Sequence, residues 1–195
     1  MISAIIPYCG AGNSLPLVFY GYHESGVAPY ARFLANLNSI PLDYVLRQKI
    51  QGQNLNLFLI EQLPIILPKT YERRFGRKTA ADIVKEEVLA LTYTALDMEP
   101  FARDMGHVDP KTGDVLPPFK WDEEDRAHRR AKLDALYFHL YGITDRDDVK
   151  YIFSTFPIVE REDTARWRRY LSRDLCLAYM DALEAGDPDI RVCLR

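Results

Sequence analysis

The chain of 195 residues is 48% hydrophobic, 12% aromatic and 27% charged, an ordinary globular balance with material for a real core, which excludes disorder and low-complexity arrays. A net charge of −3 excludes a protein that coats nucleic acid through bulk positive charge and confines phosphate binding to local basic clusters. Cys9, Cys176 and Cys193 lack CxxC spacing, no apolar run reaches the roughly 18 residues of a membrane span, and no basic region precedes MISAIIPY, so a zinc site, a disulfide framework, a membrane span and a signal peptide are not indicated and a reducing cytoplasm is the expected home.

Residues 2 to 6, ISAII, read as a strand, GAGNSLP at 10 to 16 as a turn and LVFYGY at 17 to 22 as the strand's continuation or partner. So abrupt a start leads to the expectation that this is the C-terminal piece of something larger. From Ala28 the period changes. Tyr30, Phe33, Leu34 and Leu37 recur at helical spacing, Asn38 and Ser39 interrupt them, and Pro41 opens a second helix carrying Leu42, Val45 and Leu46 inward before the polar Arg47, Gln48 and Lys49.

RQKIQGQNLNLFLIEQLPIIL, 47 to 67, sets the amides Gln48, Gln51, Gln53, Asn54 and Asn56 around Gly52 and ahead of an apolar run. Two readings stand. Amides offer a donor and an acceptor in fixed geometry and suit base edges; equally, Gly52 suits a turn, Asn54 caps a helix over Leu55 to Gln62, and Pro64 stops it. LPIILP at 63 to 68, with proline at both ends, reads as an edge strand.

Thr79 and Asp82 mark the start of a long helix with Ile83, Val84, Glu87, Val88, Leu91 and Ala95 on its buried stripe, extended toward Met98 and Phe101. GHVDPKTGDVLPPFKW, 106 to 121, has turn residues and no period, so it reads as a loop. The acids Asp122 to Asp125 suit a helix N-terminus, with Leu133, Leu136, Tyr137 and Leu140 inward and Gly142 at the end. Thr144 is expected to cap the next helix, and Asp163 or Thr164 to start a final one running to about Ala185. The sum is an α+β fold, predominantly helical, with a small β portion in the N-terminal third.

The chemistry candidates are sparse. Consecutive acids at 122 to 125 point in different directions and cannot converge on one ion, and His128 and His139 stand too far apart to share a ligand. No metal site is expected. Cys9 or Ser14 with His23 would make a small hydrolase, but no elbow or oxyanion motif surrounds either nucleophile. GAGNS matches no phosphate-binding loop and reads as a tight turn. Of the basic clusters, Arg73, Arg74, Arg77 and Lys78 form one; those at 126 to 132 and 166 to 173 read as solvated helix faces.

Several stretches in consistent order resemble the C-terminal part of the large adenine-N6 DNA methyltransferases, including fused type IIG restriction-modification enzymes and related phage-defence methylases of bacteria. They are IPYCGAGNSLPLVF (6 to 19), ARFLANLNSIPLDYVLRQKIQGQNLNLFLIEQLPIILP (31 to 68), LALTYTALDMEPFARDMG (89 to 106), PPFKWDEEDR (117 to 126) and LDALYFHLYGITDRDDVKYIFSTFPIVEREDTARW (133 to 167). In that family the glycine-rich S-adenosylmethionine motif and the Asn-Pro-Pro-aromatic motif lie upstream. This chain has neither, and VLPPF puts Leu116 where the target amine would be held.

The resemblance therefore implies a non-catalytic fragment with no cofactor of its own, S-adenosylmethionine belonging to the parent methyltransferase. Residues 1–69 would end a target-recognition region and 70–195 form a helical region packed on it, or the two make one compact domain. Partners would be double-stranded DNA and the upstream methyltransferase domain, with no membrane. Arg47 and Lys49 would suit phosphate or guanine, and Gln48, Gln51, Gln53 and Asn54 adenine edges or backbone; Asn13, Arg73 and Arg74 complete the DNA-binding candidates, and no catalytic residue is expected. A second reading is a helical protein-interaction module that docks on the catalytic domain or on another defence subunit.

Overall fold

The computed structural model describes residues 3–7, 17, 26–50 and 57–194. Helices dominate: α1 (Ala28–Leu37), α2 (Ile40–Lys49), α3 (Leu57–Glu61), α4 (Ala80–Thr92), α5 (Glu99–Asp104), α6 (Glu123–Leu140), α7 (Arg146–Ser154), α8 (Pro157–Trp167) and α9 (Leu171–Glu184). An antiparallel hairpin of β1 (Arg74–Phe75) and β2 (Lys78–Thr79) pairs Arg74 with Thr79 and Phe75 with Lys78. The fold is thus mostly helical α+β, with its paired strands in the first half of the chain.

Local chemistry accounts for most helix starts. Thr79 Oγ1 accepts from the Asp82 N–H (3.2 Å) while the Asp82 carboxylate accepts from the Thr79 N–H (2.9 Å), a reciprocal capping box on α4. Asp122 accepts from the Asp125 N–H at 2.7 Å, and the acids behind it fill the first turn of α6, where the helix dipole favours them. Pro41 and Pro157 occupy the opening turns of α2 and α8, where a missing N–H costs nothing.

Four expectations are corrected. Ser3–Pro7 and the 63–68 segment join no sheet. Side-chain amides satisfy their backbones instead: the Asn38 amide exchanges two hydrogen bonds with Ser3 (2.8 and 3.0 Å), and buried Asn36 accepts from the Ile66 N–H at 2.8 Å. Asp145, not Thr144, caps α7, accepting from the Asp147 N–H at 2.7 Å, because its carboxylate reaches the first turn while the Thr144 carbonyl takes the Arg146 guanidinium. The final helix is two. Arg168, in the left-handed region at φ 60°, ends α8, and Asp163, expected to begin the helix, accepts instead from the Ser172 N–H of α9 at 2.6 Å. Finally, α4 stops at Thr92, Ala95 is exposed, and Met98 and Phe101 enter the core from a separate turn and α5.

The main core runs from Ala31 and Ala35 through Ile83, Val84, Leu136, Phe138 and Phe153 to Met180 and Val192. Its centre is the α6–α9 pair, the most extensive contact between elements. Here α1 also departs from the expected stripe. It turns Ala31 and Ala35 inward, short side chains that let it approach α4 closely, while Tyr30, Phe33 and Leu34 are half-buried at the margin. A smaller cluster of Leu37, Leu42, Leu46 and Leu63 lies beside it. The residues described before 70 and after it therefore share one core. No helix among the described residues is long and apolar enough to cross a membrane.

Candidate nucleic-acid interface

The polar end of α2 is built from the inside out. Leu42 and Leu46 are buried with Leu63, so the same helix turns Arg47 and Gln48 outward, and Lys49 is exposed as its last residue, where cations also suit a helix C-terminus. The following extended segment is pinned: Asn36 holds Ile66, donates to the Tyr141 hydroxyl at 2.7 Å, and that hydroxyl donates to the Pro64 carbonyl at 2.8 Å. Arg47 is oriented by two contacts, an ion pair to Asp43 at 3.2 Å and a position 4.4 Å above the Phe156 ring, and is still 49% exposed. Gln48 and Lys49 are exposed. Gln51, Gln53, Asn54 and Asn13 lie outside the described residues, as do Asn56, Cys9, Ser14 and His23.

The hairpin arginines divide. Arg73 donates to the His139 carbonyl at 2.6 Å and lies 5.0 Å above Phe75, so its guanidinium serves the C-terminal end of α6. Arg74 is exposed and donates to the Arg77 carbonyl at 2.8 Å. No hydrogen bond or ion pair among the described residues joins either to Arg47.

Two basic clusters read in sequence as separate solvated faces meet instead. The Glu123 carboxylate of α6 accepts from the Trp121 indole N–H at 2.8 Å and pairs with Arg166 of α8 at 3.3 Å, and Arg126 and Arg130 of α6 are near enough to stabilise its charge. The indole hydrogen bond first, then the arginines, hold that carboxyl below its ordinary range. Arg126 lies 3.8 Å above the Trp121 ring and Arg166 5.0 Å above Trp167. WDEEDR at 121 to 126 and RWRR at 166 to 169 each carry an aromatic and a basic residue, but nothing local says that the two stretches touch.

A second polar centre lies between α4, α6 and the C-terminal segment, around a cavity of 160 Å³. Buried Glu87 binds Arg129 at 2.8 Å and Lys132 at 3.0 Å; Asp125 binds Arg129 at 2.6 Å and Arg191 at 3.0 Å. His128 shares a 2.8 Å hydrogen bond with the Tyr179 hydroxyl, and burial lowers its pKa. Every cation here has an acidic partner, so the network ties the C-terminal segment to the helices without presenting net charge. His139 is similarly spent on the Met180 carbonyl at 3.0 Å, and His107 stacks on Phe119. Among the described residues no group of His, Cys, Asp and Glu side chains is placed to hold a metal.

Asp134 is the most perturbed carboxylate. It accepts from the Ile40 N–H at 2.8 Å, capping α2 from α6. Burial pushes it from 3.8 up to about 7, against the pull of that N–H and of Arg130, with Asp43 adding to the rise. The folded value lies above the unfolded one, so the stability linked to this group is full below about pH 4 and lost as pH rises through about 7. Asp134→Asn keeps an acceptor for Ile40 without the charge. Its urea midpoint is expected to match wild type near pH 4 and to exceed it at about pH 8; parallel pH profiles for the two proteins would refute this.

Comparisons with protein-family models, with curated proteins and with solved structures found no match, so the functional reading rests on the residues themselves.

Proposed function

We propose that this chain is a non-catalytic DNA-recognition and scaffold segment of an adenine-N6-specific DNA methyltransferase or fused restriction-modification enzyme, working in the bacterial cytoplasm. The supporting observation is the delivery of Arg47, Gln48 and Lys49 to solvent at the end of α2 while Leu42, Leu46, Leu63 and the Asn36–Tyr141 clamp hold the flanking backbone. A base-reading turn has to be rigid as well as polar, because the ordering of a loose loop would subtract from the roughly 1 to 3 kcal/mol that a good bidentate base contact contributes. Methyl transfer, with its S-adenosylmethionine, belongs to the upstream methyltransferase domain in this reading. The isolated chain is expected not to methylate duplex DNA.

The decisive variant is Arg47→Ala with Lys49→Ala. Each lost phosphate contact should flatten the dependence of log K on log salt by about 0.9, so the pair should remove nearly two units of slope and weaken duplex binding at low salt. An electrophoretic or anisotropy titration at three salt concentrations measures it. Identical slopes would take both residues out of the interface.

A second reading, docking of the helical region on the catalytic domain or on another defence subunit, draws support from α8. Its eleven residues include none that is buried, and Ile158 is 58% exposed, with Tyr151 of α7 at 63%. Co-purification with the catalytic domain, set against duplex binding by the chain alone, separates the two.

A further inference from the structure

We infer that Trp121, Arg126, Arg130 and Arg166 form a second nucleic-acid contact, in which an unpaired base stacks on Trp121 and the arginines take the adjoining phosphates. The inference rests on the DNA reading above for its ligand, and adds a site that α2 does not include. The chain has two tryptophans, and both sit in this cluster. A continuous run of contacts joins them: Arg126 over Trp121, the Trp121 N–H on Glu123, Glu123 on Arg166, and Arg166 over Trp167.

Trp121 remains 57% exposed although its ring is held on one face by Arg126 and along its edge by Glu123. Exposed aromatic surface ordinarily loses rotamer freedom when it is covered; a ring already fixed in orientation loses little. That is the requirement for a stacking platform, and every base offers a π face to it. A duplex hides those faces between neighbouring pairs, so the geometry favours single-stranded or locally opened DNA.

The charge agrees. Arg166 pairs with Glu123, whose charge Arg130 and Arg126 also stabilise, and exposed Arg130, which acts as well on the buried Asp134, has no ion pair among the described residues. The adjacent acids are engaged elsewhere, Asp122 in capping α6 and Glu124 and Asp125 with Arg191 or Arg129. Arg126 also donates to the Leu91 carbonyl at 2.9 Å, which fixes the platform to the end of α4.

The test titrates the whole chain with an oligothymidylate about 12 nucleotides long and with a duplex of the same length. Single-stranded DNA is expected to quench tryptophan emission, and Trp121→Phe to abolish the quench. Trp121→Ala should weaken binding by roughly 5- to 150-fold, the range for loss of one stacked base. Arg130→Ala and Arg166→Ala, both at exposed positions, should each flatten the single-strand salt slope by about 0.7 while circular dichroism stays native. Single-strand binding with unaltered emission and unaltered slopes would overturn the platform. Duplex binding that responds to Arg47 and Lys49, together with single-strand binding that is absent or indifferent to Trp121 and Arg130, would sink it alone, leaving the α2 reading intact. Loss through Trp121 and Arg130 with Arg47 and Lys49 neutral would do the reverse. No binding of either DNA form ends both, as does emission that answers only to an acidic protein.

Discussion

Gly76→Ala is expected to abolish native packing, with a loss of at least about 4 kcal/mol, the scale of the most severe single substitutions. Gly76 opens the turn between β1 and β2 and is pressed against Gly186, the residue just past the end of α9. A Cβ at Gly76 would lie 1.9 Å from the Gly186 carbonyl oxygen and 2.8 Å from its carbon, distances that only backbone displacement relieves. Gly186 has little room to move. At φ +76° its N–H bonds the Leu183 carbonyl at 3.1 Å and the Asp187 N–H bonds Ala182 at 2.9 Å, closing the end of α9.

The surrounding ion pairs join exposed Arg77 and half-buried Lys78 to Asp189, and Lys78 to exposed Glu86, at the rim of the contact, where such pairs add little beside packing. They mark where the hairpin docks; the two glycines allow it to. Gly113 provides the control. Its φ is +76° but nothing lies within 4 Å of a Cβ there, so Gly113→Ala should cost only about 1 kcal/mol of backbone strain. Thermal unfolding of both variants measures the contrast, and near-equal melting temperatures would show that the Gly76–Gly186 approach is not tight in solution.

Glu87→Ala comes second, with an expected loss of about 3 kcal/mol. The Glu87 side chain is 6% exposed and sits between Arg129 and Lys132, themselves only 27% and 14% exposed. Removing the carboxylate strands Lys132 in a poorly solvated site and takes from Arg129 one of its two acidic partners, and the cost of an unpaired buried charge exceeds what the pair contributes over an apolar replacement. Arg129 keeps Asp125 at 2.6 Å, which places the expected figure at the lower end of the range for broken buried pairs. Glu87→Gln retains the volume and a hydrogen-bond acceptor, so comparing the two separates charge from packing. Urea unfolding at low and high salt is the measurement. A change below about 1 kcal/mol would mean that water reaches the cations freely.

Glu87 also shows how far pattern reading reaches. Periodicity placed it on the buried stripe of α4 beside Ile83, Val84 and Val88, which is where it lies, but a stripe does not name the partner. Arg129 and Lys132 are some forty residues away on α6. The DNA-binding candidates divide in the same way. Exposure of Arg47 and Gln48 followed from burial of Leu42 and Leu46 on another side of one helix, and that of Lys49 from its place at the helix end. That Arg73 would be spent on the His139 carbonyl, and that Arg166 of α8 would meet Glu123 of α6, followed from nothing nearby.

The same division runs through the fold. Helical content, the capping box at Thr79, the acidic start of α6 and the proline that opens α2 were readable because each depends on hydrogen bonds and dipoles that act within one turn, among residues three or four apart. The inward face of α1, the replacement of strand ladders by Asn36 and Asn38, the break at Arg168 and the Gly76–Gly186 contact were decided only when distant segments met. Apolar residues compete for one core volume and buried polar groups for the nearest partner, so the winners depend on which elements pack together, and no local window of residues contains that information.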